Sequence, residues 1–160
     1  MITFLEASGR SADIPEAHDL YGWLIGGWEL DVLHYAGADL SAQKGKGAAH
    51  FSWVLDGRAV QDVWSWRPQM HGTTLRIWDP AIQAWRVTWF NPGSGARVDL
   101  TGRWSGKDIV QIGAYANGTP IRWIFSEITG DSFRWTGESL TADGTTWKLE
   151  GEFRAHRIKA

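Results

Sequence analysis

The chain has 160 residues, a formal net charge of −2 and no cysteine, with a sequence pI near 6.2. That length suits a single domain, residues 1–160, with a substantial core. The near-neutral charge excludes a broad electrostatic pull towards nucleic acid or an anionic membrane, and the lack of cysteine excludes disulfides, thiolate catalysis and thiolate metal sites.

Residues 1–13 read as loosely ordered. Residues 14–24 follow an Asp13 cap with Pro15 at the first helical position, and Ile14, Ala17, Tyr21 and Leu24 share a face, which predicts a short amphipathic helix. The opening MITFLEASGRSADIPEA lacks the basic-then-apolar order of a signal peptide. No apolar run approaches the roughly 18 residues of a membrane span, so a cytoplasmic protein with no membrane partner is expected. IGGW then breaks the helix, and almost everything after it alternates with period two. Strands are predicted at 28–35, 45–55, 59–67, 73–78, 84–90, 97–104, 109–115, 121–127, 133–140 and 146–156, with a polar loop at 36–43. About ten strands at this spacing, with no alternating helices, predict a closed, mostly antiparallel all-β barrel of about eight to ten strands, with the helix near one mouth. The last strand is long enough to return to the first.

Three turn signals set the registers. Asp56-Gly57, in FSWVLDGRAVQDVWSW, places Trp53 opposite Val60, Phe51 opposite Asp62 and Ala49 opposite Trp64. One face of that hairpin then carries Phe51, Trp53, Val60, Trp64 and a lone carboxylate, Asp62. Asn117-Gly118 places Ala114 opposite Ile121, Ile112 opposite Trp123 and Val110 opposite Phe125, an apolar face that Val98, Leu100 and Trp104 extend. Asp143-Gly144 places Glu138 opposite Leu149, so that Glu138 shares a face with Trp147 and Phe153, whereas a shift of one residue restores Phe133 and Trp135 to that face. Two readings stand for this hairpin: a bulge intervenes, or Glu138 is a second inward acid.

The segments LIGGWELDVLHY and GKGAAHFSWVLDGRAVQDVW resemble the calycin superfamily of lipocalin-like and fatty-acid-binding-like barrels. TTLRIWDPAIQAWRVTWFNPGSG and FRWTGE are similar to a largely uncharacterised bacterial family of small lipocalin-like proteins. The likeness runs over residues 21–157 and implies a fold far more than a function. A related group of ten-stranded barrels binds haem through a histidine near the C-terminus, which implies a haem-binding alternative through His156. Alternation, however, sets His156 beside Lys148, Glu150, Glu152 and Arg154 on a charged, solvated face.

Chemistry is expected in two places. Asp62 on an aromatic wall loses water, which would raise its pKa towards use as a general acid or base. The structural alternative is an ion pair with Arg76, Arg86 or Arg122. His34 continues the inward set Trp28, Leu30 and Val32, as a proton shuttle, a ligand contact or a rim histidine, and Asp62 with Glu138 is a further carboxylate pairing. The remaining histidines, His18, His50 and His71, fall on the helix, an outer face and a loop, so no metal site is expected. Gly45-Lys46-Gly47 and Gly93-Ser94-Gly95 read as turns or bulges.

The second place is the aromatic set. With 12 tryptophans in the chain, a cavity walled by rigid rings or a partly apolar outer surface is expected. Trp53, Trp64, Trp85, Trp89, Trp123 and Phe125, with Phe51 of the same wall, are the candidate ligand-binding residues. An aromatic platform for nucleic acid would need a basic groove that the charge balance does not supply.

Three functions follow. The first is a cofactor-free binding barrel for a small apolar or aromatic molecule. The second is a cofactor-free cyclase, isomerase or dehydratase in the same cavity, with Asp62, His34 and Glu138 as acids and bases. The third is a haem-binding barrel. Exposed tryptophan outside the barrel would favour a homodimer.

Overall fold

The computed structural model describes residues 2–35 and 42–159. A helical turn α1 (Ile2–Leu5) and a two-residue strand β1 (Glu6–Ala7) precede ten longer strands: β2 (Gly26–Tyr35), β3 (Ala42–Val54), β4 (Ala59–Trp66), β5 (Met70–Asp79), β6 (Ala84–Asn91), β7 (Ala96–Ser105), β8 (Asp108–Ala114), β9 (Pro120–Ser126), β10 (Ser132–Leu140) and β11 (Trp147–Arg157). Each of β2 to β11 pairs antiparallel with the next, and β11 returns to β2 with Gly151 opposite His34 and Arg157 opposite Trp28. Strands β2 to β11 therefore form a closed barrel. Most of the predicted 36–43 loop, residues 36–41, lies outside the described residues.

Alternation fills the interior with Trp28, Leu30 and Val32 of β2, Ala49, Phe51 and Trp53 of β3, Trp85 and Val87 of β6, and Phe125 of β9, all buried. No helix among the described residues is long and apolar enough to cross a membrane.

The predicted helix over 14–24 does not form. Pro15 is extended (φ −58°, ψ 140°), and two 3₁₀ turns, Glu16–His18 and Gly22–Leu24, replace it. The Asp19 carboxylate accepts the Gly22 N–H at 2.8 Å and so competes with helix continuation. The kinked path lets Ile14, Leu20, Tyr21 and Leu24 all be buried at 2 % exposure or less. This segment closes one end of the barrel. Three indole N–H groups hold it: Trp23 donates to Leu20 O at 2.6 Å, Trp28 to Leu24 O at 2.8 Å and Trp85 to His18 O at 2.8 Å. Within residues 1–13, read as loosely ordered, β1 pairs with the end of β3. Ser11 N–H also donates to Gly57 O at 2.9 Å. Gly57 is required there, because its φ is +79° and a Cβ would lie 2.0 Å from Gly9 O.

The three hairpins differ in an instructive way. The β3–β4 loop has four residues, 55–58, rather than two, yet it is centred on the same point, so Phe51 faces Asp62 and Trp53 faces Val60 as the sequence predicts. The β8–β9 loop corrects the prediction. Gly118 N–H bonds to Tyr115 O and Tyr115 N–H to Thr119 O, with Gly118 at φ +87°, a three-residue turn rather than a two-residue one. The register moves by one: Ile109 faces Phe125 and Gln111 faces Trp123. Ile112 is consequently 59 % exposed while Gln111 is fully buried. Trp104, expected to extend the same inner face, is exposed at its strand end. The β10–β11 hairpin contains the bulge: Glu138 faces Leu149, but Gly137 faces Gly151, leaving Glu150 as the extra residue. Gly45 and Gly47 lie within β3 rather than in a turn, where a Cβ at Gly45 would meet the Trp66 ring and one at Gly47 the Ser65 carbonyl oxygen.

Candidate functional site: a tryptophan-walled cavity

Asp62 points inward from β4 and is engaged on both oxygens. Oδ1 accepts the Thr74 backbone N–H at 2.8 Å, and Oδ2 pairs with the Arg76 guanidinium. Arg76 Nε donates to Gln111 Oε1 at 3.3 Å, which also accepts the Tyr21 hydroxyl at 3.0 Å. Asp62, Arg76, Gln111 and Tyr21 are each 2 % exposed or less. The guanidinium also sits 5.0 Å from the Tyr21 ring centroid and 5.6 and 5.7 Å from those of Phe51 and Phe125. Burial raises the Tyr21 phenol well above its ordinary range, with Arg76 pulling the other way, so the hydroxyl stays a donor. Of the three arginines named as partners, Arg76 takes the role. Arg86 pairs with Asp79 and Arg122 with Glu138.

This polar network forms a floor. Beyond it, towards the end carrying the 67–69, 92–95, 115–119 and 141–146 loops, lies a cavity of about 300 Å³, with Thr74 and Arg76 among its lining residues. Trp64, Trp66, Trp89, Trp123, Trp135, Met70 and Phe153 supply apolar wall, and His34, Gln43, Gln69, Asn91, Tyr115 and Glu150 supply polar groups. The rings form a contiguous chain: Trp89 to Trp123 at 6.5 Å between centroids, Trp123 to Trp135 at 5.5 Å, Trp135 to Phe153 at 5.0 Å and Phe153 to Trp64 at 5.3 Å. Edge and tilted contacts of this kind leave ring faces available to a guest.

The polar wall has one tightly coupled pair. The Tyr115 hydroxyl donates to Glu150 Oε1 at 2.6 Å. Burial, and then the bond to Glu150, raise the Tyr115 phenol well above its usual range, so it keeps its proton. Glu150 reaches this wall because it is the bulge residue: it and Gly151 both face inward, against strict alternation.

The family models and the curated proteins contain no match to the chain. Among solved structures, it is similar to an S-type phycobiliprotein lyase from Guillardia theta, with a TM-score of 0.58, 12 % identity, and coverage of 89 % of this chain and 92 % of that one. The fold is a lipocalin-like barrel. At that identity the likeness concerns shape alone.

Within this barrel, the residues read from the sequence separate by depth. Trp64, Trp89, Trp123 and His34 line the cavity. Phe51, Trp53, Trp85 and Phe125 belong to the packed core and do not line it. Asp62 is closed into the floor. Glu138 is on the face opposite Gly137, its carboxylate 2.8 Å from Arg122 Nη2, whose guanidinium stacks 4.2 Å from the Trp147 ring centroid. The structure therefore does not gather Asp62, His34 and Glu138 into one site. His156 is on the outer wall, opposite Glu29, with its side chain 65 % exposed and Nε2 4.0 Å from Asp31. It does not fit as the axial ligand of a haem held inside. Sequence reasoning missed Trp66, Trp135, Tyr115 and Glu150. The first two continue the alternations of Asp62–Trp64 and Phe133, a signal that was present. Tyr115 depended on the three-residue turn, read as two residues, and Glu150 on the bulge that stood as one of two readings of its hairpin.

Proposed function

We propose that this lipocalin-like barrel binds a small, flat apolar or aromatic molecule in the tryptophan-walled cavity. The observation carrying the reading is the open space of about 300 Å³ bounded by five indoles, at the lower end of the volumes of small-molecule sites. Filling a barrel with rings needs no such space, and the pocket beside the N-terminal segment, lined by His18, Trp78 and Trp85, is smaller, at about 190 Å³. The similarity to a phycobiliprotein lyase accords with a small-molecule guest of general kind and contributes no chemistry to the reading. The bacterial lipocalin-like family suggested by TTLRIWDPAIQAWRVTWFNPGSG belongs to the same proposal.

The guest would meet ring faces on Trp64, Trp89, Trp123 and Trp135 and be oriented by the polar groups near the mouth. Calorimetric titration with α-methylnaphthalene tests this. One saturable site per chain is expected, and Trp123→Ala should weaken it about tenfold, the loss of one stacking partner and its contact area. Absence of saturable binding by any bicyclic aromatic would overturn the reading.

A further inference from the structure

Among the described residues that line the cavity the charges do not cancel, and the remainder points to the kind of guest. Arg76 is one of the two charged side chains among the lining residues, and Asp62 directly beneath neutralises it. The other is Glu150. Among the described residues no lysine, arginine or histidine forms an ion pair with it, and it accepts a hydrogen bond from the neutral Tyr115 hydroxyl. An aromatic enclosure bearing one uncompensated carboxylate is the arrangement that attracts an organic cation: ring faces present negative potential, and the carboxylate adds a full charge in a setting partly shielded from water. The same features oppose an anion, which would face both the indole faces and Glu150.

Resting on the cavity reading above, we infer that the guest is a monovalent organic cation with a flat aromatic body, its positive nitrogen held against Glu150 and its rings stacked on the wall that includes Trp123 and Trp135. The bulge supports this assignment. Regular pairing of β10 with β11 would turn position 150 away from the cavity. The extra residue instead brings the carboxylate in, and Tyr115, at the neighbouring hairpin, fixes one of its oxygens while leaving the second without a hydrogen bond among the described residues. A tethered carboxylate with one free oxygen is pre-organised for a directional contact.

The test compares three probes of one shape by calorimetry on the full chain: N-methylquinolinium, its neutral isostere α-methylnaphthalene, and anionic α-naphthoate. The cation should bind at least tenfold more tightly than the neutral isostere, and the anion most weakly. Glu150→Gln should erase the cation's advantage over α-methylnaphthalene. Equal binding of cation and neutral probe, or tighter binding of the anion, overturns this inference and leaves the cavity reading intact. A preference that survives in Glu150→Gln also overturns it. Failure of all three probes overturns both readings. The comparison on the unaltered chain is decisive by itself should Glu150→Gln not fold.

Discussion

Arg76→Met should destabilise the barrel by about 3–5 kcal/mol, the usual cost of leaving one member of a buried ion pair without its partner. Asp62 is fully buried, and once the guanidinium is gone Oδ2 has no donor among the described residues, while Oδ1 keeps the Thr74 N–H. For a domain of this size each kcal/mol moves the melting temperature by about 2–4 °C, so a fall of roughly ten degrees is expected in a thermal melt. The double variant Asp62→Leu with Arg76→Met should recover most of the loss, because both charges leave together and apolar side chains of similar size replace them. Gln111 Oε1 would still accept the Tyr21 hydroxyl. A single variant as stable as the parent, or a double variant no better than the single, would contradict the account of the pair as a closed structural floor. The pair is also the reason that Asp62, which has the sequence context of an activated acid, is assigned a structural role. Asp62→Asn should leave probe binding unchanged while lowering stability.

The barrel was legible in the sequence because period-two alternation and turn signals survive small errors in turn type. The loop after Val54 has four residues, but its centre coincides with that of the expected two-residue turn, and every pairing from Trp53–Val60 to Ala49–Trp64 is retained. The loop after Ala114 has an odd length, and one residue was enough to exchange Gln111 for Ile112 on the inner face. The buried network Asp62–Arg76–Gln111–Tyr21 was thus half visible: its charged half lay on a correctly read hairpin, its amide half on a shifted one. Alternation also reports face but not depth. Trp85 and Trp89 share the inward face of β6, yet Trp85 bonds to the N-terminal segment at the closed end and Trp89 lines the cavity. Their difference is set by where that segment ends its path, which is a tertiary fact. The N-terminal segment itself followed helical periodicity, but Pro15 in an extended conformation and the Asp19 carboxylate capping Gly22 gave the backbone other partners, and burial of four apolar side chains outweighed the weak helical preference. Glu150 was the least accessible of all, since a bulge is a departure from the rule by which faces are read.

Gly151→Leu should abolish binding of α-methylnaphthalene and N-methylquinolinium alike, with a loss of at least a hundredfold, while leaving the melting temperature unchanged or slightly raised. Gly151 lines the cavity from β11, and a Cβ built on it meets nothing nearer than Leu33 O at 3.8 Å, with His34 Cδ2 and the Trp135 ring at 4.0 Å. A side chain therefore leaves the backbone in place and extends into the open space. Other inward glycines lack this property: a Cβ at Gly72 would lie 2.4 Å from Phe90 O, and one at Gly102 2.3 Å from the Tyr21 hydroxyl. Leucine at 151 would occupy a large part of the volume a guest needs and gain apolar contact with Trp135 and Phe153, and replacing a strand glycine removes about 0.5–1 kcal/mol of conformational entropy cost. Lost binding with a lowered melting temperature would show that the barrel had been distorted, and binding retained in a well-folded Gly151→Leu protein would place the guest outside the barrel. Paired with Glu150→Gln at the adjacent position, the variant separates two contributions on one bulge: Leu at 151 removes space for every guest, whereas Gln at 150 removes only the advantage of positive charge.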